Sequence, residues 1–411
     1  MRNFREITLV GVLVLASLAT AGETATLKKL YEQHRWFELR EALKSHKEAP
    51  ALYLGAVASA FNDVKGAEKY LNRAIELAPN SDDAAEAHEM LGYLYARSGR
   101  YHDVVQQLDL IRKIRPGRAD VENVRTIYAA FSQHPDQSVA RYRPTLLHAD
   151  VSKAGVVLPV SIHGKTVHWL LDTDFNLPAM SESEARLLGV TVDEVSAQVE
   201  DSAGGATKVR TAFVDELAIG DIHLQNVSFL IVPDSQPPMD GLPPGSRGLV
   251  GFPIAFALRS IGWKSDGTFE IGFALRRDAN SERNLFFDGI SPVTRVKSEG
   301  KELDFILDTG NVAGTQLWRR FADDFATLMK QRGTKSKQTV TEVSGSNERE
   351  ITVLPEIQLR VGGLDTMLRP ASVFSKPVGD EFHHGLLGMD VFSQAREVRI
   401  DFRSMTFELR P

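Results

Sequence analysis

The chain has 411 residues, too many for one hydrophobic core, so two or three domains are expected. A net charge of −6, with 43% hydrophobic and 25% charged residues, argues against a nucleic-acid binder, and no basic stripe with interleaved aromatics occurs. The absence of cysteine excludes disulfides, thiol nucleophiles and cysteine-held metals.

At the N-terminus Arg2 and Arg5 precede an apolar run over 7–16, and Ala19-Thr20-Ala21 has the small-x-small form of a signal-peptidase site. The run is short for a spanning helix and polar Glu23 and Thr24 follow at once. Residues 1–21 are therefore expected to be a cleaved signal peptide, leaving an exported, periplasmic protein with no membrane span. With no cysteine after the run, a lipid anchor is not available.

Residues 24–131 carry alanine, leucine, glutamate and lysine at helical spacing, and all eight tyrosines lie between Tyr31 and Tyr142. Leu54-Gly55, Ala67, Leu71, Ala74 and Pro79 recur as Leu91-Gly92, Val104, Leu108, Ile111 and Pro116, each at an offset of 37. Gly55 and Gly92 are expected to let paired helices approach closely, Ala67 and Ala74 to pack at a crossing, and the prolines to end the second helix of each unit. The pattern resembles the tetratricopeptide (TPR) repeat, a helix–turn–helix unit of about 34 residues. A degenerate third unit is read over 27–43. The resemblance implies either a partner-binding groove or a structural cap on the neighbouring domain. Residues 132–150, with His134-Pro135 and Pro144, read as a linker.

From 151 onward the pattern is strand-like: short apolar or β-branched runs separated by glycine turns such as His163-Gly164-Lys165. A polar stretch over 278–285 divides this region into halves at 151–277 and 286–411. The halves repeat each other. Trp169-Leu170-Leu171-Asp172-Thr173 recurs as Phe305-Ile306-Leu307-Asp308-Thr309 at an offset of 136. Gly248-Leu249-Val250-Gly251 recurs as Gly385-Leu386-Leu387-Gly388 at 137, and Thr268-Phe269-Glu270 as Thr406-Phe407-Glu408 at 138. Three features in one order at nearly constant offset indicate duplication.

At these residues the chain resembles the two-lobed, retropepsin-like bacterial aspartic peptidases, whose signature is a hydrophobic pair, Asp-Thr/Ser-Gly, and a later hydrophobic-hydrophobic-Gly segment. The resemblance implies a multidomain protein: an all-α TPR-like repeat followed by an all-β duplicated aspartic-peptidase fold. It implies Asp172 and Asp308 as a catalytic pair, one per lobe, supported by Thr173, Thr309 and Gly310. Gly251 and Gly388 would buttress the aspartate loops. Two carboxylates sharing one proton can act as base toward water and as acid toward the leaving amine, without metal or cofactor (the aspartic-protease pair is a standard instance of coupled carboxylates). Gly204 and Gly205, and Gly345, mark hairpins that the family would use as flaps over an extended peptide or an unfolded protein.

The first half reads Asp172-Thr173-Asp174, with aspartate where the signature has glycine. A third carboxylate near the pair would raise its apparent pKa values. Two readings therefore stay open: an active endopeptidase, and a catalytically inactive pseudopeptidase that acts with its TPR-like domain as a peptide-binding or scaffold module. The adjacent His383 and His384 have no supporting metal-site spacing and are expected at a strand end. Trp169 and Trp318 are expected to pack in the core.

Overall fold

Alternation of apolar residues at 3- and 4-residue spacing yields helices up to residue 131, and alternation at 2 yields strands thereafter. The computed structural model describes residues 25–46, 48–200, 206–274, 283–342, 345–374, 376 and 382–411. The segment expected to be a signal peptide, 1–21, thus lies outside the described residues.

A helical stretch over 25–32 is followed by helices Trp36–Lys44, Ala51–Ala60, Val64–Leu77, Asp82–Arg97, Tyr101–Ile114 and Ala119–Phe131. The repeated sequence positions are the buried ones: Ala67, Leu71 and Ala74 on one helix, Val104, Leu108 and Ile111 on its counterpart. The ends are set locally. The Asp63 carboxylate caps one helix through Gly66 N, Ser81 Oγ caps the next through Ala84 N, and Pro79 and Pro116 fall two residues beyond helix ends at Leu77 and Ile114.

The two repeat glycines differ. A Cβ on Gly55 would lie 2.6 Å from the Leu71 side chain and 2.9 Å from its backbone nitrogen, so the helices cross there too closely for a methyl group. At Gly92 the nearest neighbour is Gln107 Cβ at 3.8 Å, so the expected close approach does not occur and a side chain fits. Gly55→Ala is therefore expected to lower unfolding stability by about 1–3 kcal/mol. Gly92→Ala should raise it by about 0.5–1 kcal/mol, because alanine is the better helix former; urea unfolding of the two variants checks both signs.

Residues 132–150 are not a free linker. Ser138–Tyr142 pairs antiparallel with Ile222–Val232, and Thr145–His148 pairs antiparallel with Thr268–Ile271. Both are edge strands with largely exposed side chains, which removes the hydrophobic alternation that would mark them in sequence. The second expected linker, 278–285, falls mostly outside the described residues, and its last residue already opens the strand Leu285–Asp288.

The two β halves share one plan. In the first, Gly155–Ile162 and Lys165–Leu171 form a hairpin, Gly248–Val250 runs parallel beside Lys165–Leu171, and Ala179–Ser181 pairs antiparallel with Gly248–Val250. In the second, Ser291–Ser298, Lys301–Leu307, Gly385–Leu387 and Gln316–Leu317 repeat those pairings in the same senses. A further sheet joins the halves: Ser260–Lys264 pairs antiparallel with Glu397–Asp401, flanked by Thr268–Ile271 and Thr406–Arg410. The third repeated motif supplies these two flanking strands.

The helices dock on this β region. The Arg97 guanidinium, 2% exposed, donates to Ser59 O and Oγ and lies 4.6 Å over the Phe287 ring. Arg295 donates to Glu38, and His34 meets Asp288 at 2.7 Å. Among the described residues no helix is long and apolar enough to cross a membrane.

Candidate active site

Asp172 and Asp308 each follow the last residue of a buried strand, Lys165–Leu171 and Lys301–Leu307. The parallel glycine-motif strand next door fixes each backbone: Asp172 N donates to Val250 O and Asp308 N to Leu387 O, both at 3.1 Å. The motif then ends in a glycine because the aspartate loop crosses it. A Cβ on Gly251 would lie 2.5 Å from Leu177 O, and one on Gly388 would lie 2.8 Å from Asn311 O.

The two loops are tied together by a reciprocal hydrogen-bond set. Thr173 N donates to Thr309 Oγ1 at 3.1 Å, and Thr309 N donates to Thr173 Oγ1 at the same distance. Each hydroxyl donates onward across the junction, Thr173 Oγ1 to Leu307 O at 2.6 Å and Thr309 Oγ1 to Leu171 O at 2.7 Å. Both threonines are fully buried, so these bonds are made away from competing water.

The carboxylates sit above this junction in matching poses. Asp172 Oδ1 accepts from Asp174 N and Phe175 N at 3.1 and 2.9 Å, and Asp308 Oδ1 accepts from Gly310 N and Asn311 N at 2.9 and 3.0 Å. Gly310 touches both acids: its nitrogen bonds Asp308, and a Cβ on it would lie 2.2 Å from Asp172 Oδ2. Neither Gly310 nor Asp174 has a positive φ. Glycine at 310 thus provides room for the opposite carboxylate rather than an unusual turn, and Asp174 stands in the first loop without a left-handed backbone.

Burial raises the Asp172 carboxyl to about 6, against the opposing pull of its two N–H donors. Burial also holds Asp308 well above the usual carboxylate range, and the negative charges of Asp172 and then Asp174 push the same way, against Gly310 N and Asn311 N. The pair is therefore built to keep a proton that ordinary carboxylates would lose.

Asp174 is partly engaged elsewhere: Ser291 Oγ donates to its Oδ1 at 2.7 Å. Ser291 was not singled out by its residue type. Its position was legible, since it lies 136 residues after Gly155, the same offset as the aspartates. Thr315 and Asp390 were also missed; Thr315 Oγ1 donates to Asp390 Oδ1 and receives Gly388 N at 3.0 Å, bracing the second loop.

Of the hairpin candidates, Gly204 and Gly205 lie outside the described residues. The strands leading to them, Val192–Glu200 and Ala206–Ile219, pair with Glu200 opposite Ala206. Gly345 opens a strand, Gly345–Leu354, paired with Thr334–Glu342, so it stands on an arm of the hairpin, opposite Glu342. Trp169 is fully buried and donates through Nε1 to Glu184, and Trp318 is buried and donates to Gln316. His384 receives Asp304 N and meets Asp324, while His383 meets Asp288 at 3.2 Å. The two histidines thus serve different partners at the start of the strand Gly385–Leu387.

Residues 158–254 match the aspartyl protease family, a span that includes Asp172 and Gly251. Among solved structures, a retropepsin-like aspartic protease from Rickettsia conorii is similar at 11% identity and a TM-score of 0.22, over 33% of this chain and 93% of that one. No curated protein matches the chain.

Proposed function

We propose that the protein is an exported aspartic endopeptidase that hydrolyses peptide bonds with water activated between Asp172 and Asp308. The observation that carries this reading is the reciprocal threonine junction, which presents two proton-retaining carboxylates in matching poses. The family match over 158–254 supports it for the first half. The ionised carboxylate takes a proton from water as the water oxygen attacks the carbonyl carbon. The protonated partner gives its proton to the carbonyl oxygen; as the C–N bond breaks, the carboxyl that took the water proton passes it to the departing nitrogen, and a hydroxyl of the diol returns its proton to the partner as the new carboxyl group forms. No covalent enzyme intermediate is needed. The hairpins 192–219 and 334–354 would cover an extended peptide.

A second reading is favoured by Asp174: a pseudopeptidase that binds peptides without cutting them. Its added negative charge strengthens proton retention on Asp308. Digestion of an unfolded protein by the full chain distinguishes the two. Cleavage with an acid limit near pH 6, where the first proton leaves the pair, and an alkaline limit where the shared proton is lost, blocked by a statine-type inhibitor, is expected for the enzyme. Asp174→Asn should move the alkaline limit of that range to lower pH, because removing a negative neighbour makes the shared proton easier to lose. Absence of cleavage at every pH would leave the pseudopeptidase reading.

A further inference from the structure

The turn that opens the second β half is held from the helical side at three successive residues. Leu285–Asp288 and Ser291–Ser298 form a hairpin in which Asp288 stands opposite Ser291, with Gly289 and Ile290 between them. The Arg97 guanidinium lies 4.6 Å over the Phe287 ring. His34 Nδ1 meets Asp288 Oδ2 at 2.7 Å, and His383 Nε2 meets the same oxygen at 3.2 Å. A Cβ on Gly289 would lie 3.8 Å from Tyr93 Cζ. At its far corner the turn reaches the other half: Ser291 Oγ donates to Asp174 Oδ1 at 2.7 Å, and Asp174 N donates to Asp172 Oδ1 at 3.1 Å. One continuous set of contacts therefore runs from the helices, through a two-residue turn, to the catalytic pair.

Two features set His34 apart. The first is its backbone. The helical stretch over 25–32 closes with Arg35 N donating to Leu30 O at 2.9 Å and His34 N to Tyr31 O at 3.0 Å, and His34 takes a φ of 52°. Helices usually close this way on glycine, because a Cβ is crowded in left-handed backbone. Strain of this kind persists where the surroundings hold the residue in place. Here the imidazole does so: it stacks on Phe382 with centroids 3.7 Å apart and planes 3° from parallel, while its Nδ1 reaches Asp288. The second feature is the partner. Burial alone would raise the Asp288 carboxyl, but hydrogen bonds from His34 and His383 hold it below the usual carboxylate range. An ionised carboxylate so buried is costly to strip of a partner. The nearby Glu32, Glu86 and Glu89 pair with Lys28, Arg115 and Arg118 inside the helical region, whereas His34 with Asp288 crosses to the β half.

The Ser291 hydroxyl governs both the place and the strength of the Asp174 charge. A donor on Oδ1 offsets part of the carboxylate's negative field and fixes its direction. After burial, the charges that raise Asp308 are those of Asp172 and then Asp174. Whatever fixes Ser291 therefore fixes how firmly the pair keeps its shared proton.

We propose that His34 and Ser291 are positioning residues of the aspartate site: His34 clasps the turn through Asp288, and Ser291, at the turn's other corner, sets Asp174 beside the pair. The helical region is then a working part of the site. The effect on cleavage rests on the peptidase reading; the effect on the shared proton does not.

The test reads proton and cleavage separately in the full chain. Carbon-13 NMR of labelled aspartate carboxyls follows the pair through a pH titration, and kcat and KM are measured on an unfolded protein. Ser291→Ala removes the donor from Asp174 and should move the upper transition of the pair to higher pH, by about half a pH unit or more, with the alkaline limit of kcat following. His34→Gly suits the left-handed backbone and deletes the imidazole. It should move the transition the same way by a smaller amount, and lower kcat more than it raises KM. His34→Asn also tolerates that backbone and is too short to reach Asp288, so it should match His34→Gly. In the double variant His34→Gly/Ser291→Ala the histidine change should add nothing, because its effect passes through Ser291. An upper transition unmoved by Ser291→Ala, or unmoved by both His34 variants, would overturn the clasp. So would a His34 effect of full size in the absence of the Ser291 hydroxyl. Shifted transitions in a wild type and variants that cleave nothing would support the clasp and count against the peptidase reading; cleavage with every transition in place would do the reverse.

Discussion

Asp308→Asn is expected to lower kcat/KM by about 10³-fold or more, the scale of a lost acid–base group, while leaving the fold intact. The amide keeps an oxygen that can accept from Gly310 N and Asn311 N, as Oδ1 does now at 2.9 and 3.0 Å. Stability should move in the opposite direction from activity. The folded pair holds its protons to higher pH than the unfolded chain does. Such groups favour folding below the carboxylate pKa of the unfolded chain, and that contribution is lost as pH rises through the folded values. The introduced amide does not ionise, so the variant should melt at a higher temperature than the wild type at pH 7–8. The difference should close below about pH 4, where both states are protonated. Thermal unfolding at the two ends of that range checks the sign. A variant less stable than the wild type at neutral pH would mean that the carboxylates do not repel each other in the folded state.

Thr309→Val tests the junction beneath the carboxylates. Valine fills the space of threonine but cannot accept from Thr173 N or donate to Leu171 O. Both backbone groups would be left in a buried site, at about 1–3 kcal/mol each, so a loss of about 2–5 kcal/mol is expected in urea unfolding. Activity should fall further than stability does, because the junction sets the separation of the reacting groups. Thr173→Val should behave alike. The double variant should lose less than the sum of the two, since Thr173 and Thr309 share the same hydrogen bonds. Losses below about 1 kcal/mol would show that the junction is not under the water-excluded conditions that the burial of both threonines implies.

The duplicated features were legible because they are local and repeat in phase. Leu171-Asp172-Thr173 and Leu307-Asp308-Thr309 each announce a buried strand ending in a carboxylate and a hydroxyl, and the glycine motifs follow at matching offsets. The helical hairpins were legible for the same reason, through Ala67, Leu71 and Ala74 and their counterparts. What escaped was decided by surroundings that no local pattern encodes. Gly55 and Gly92 occupy equivalent repeat positions, yet a Cβ on one would press into Leu71 while a Cβ on the other would meet only Gln107 at ordinary contact distance. Ser138–Tyr142 carries exposed side chains and is a strand because Ile222–Val232 offers it an edge. The docking of the helices on the second half depends on contacts between residues more than 250 positions apart, such as His34 with Asp288 and Glu38 with Arg295. At Asp174 a third charge was visible from the motif itself, but only its partner Ser291, across the junction, reveals how one carboxylate oxygen is held.

The central claim is that one aspartate from each half shares a proton where the two loops meet. Carbon-13 NMR of labelled aspartate carboxyls, followed through a pH titration of the full chain, measures this directly. Two coupled transitions are expected, one near 6 and the other well above the carboxylate range, and in Asp308→Asn they should give way to a single transition, that of Asp172. Two independent transitions near the ordinary value of about 4 would contradict it.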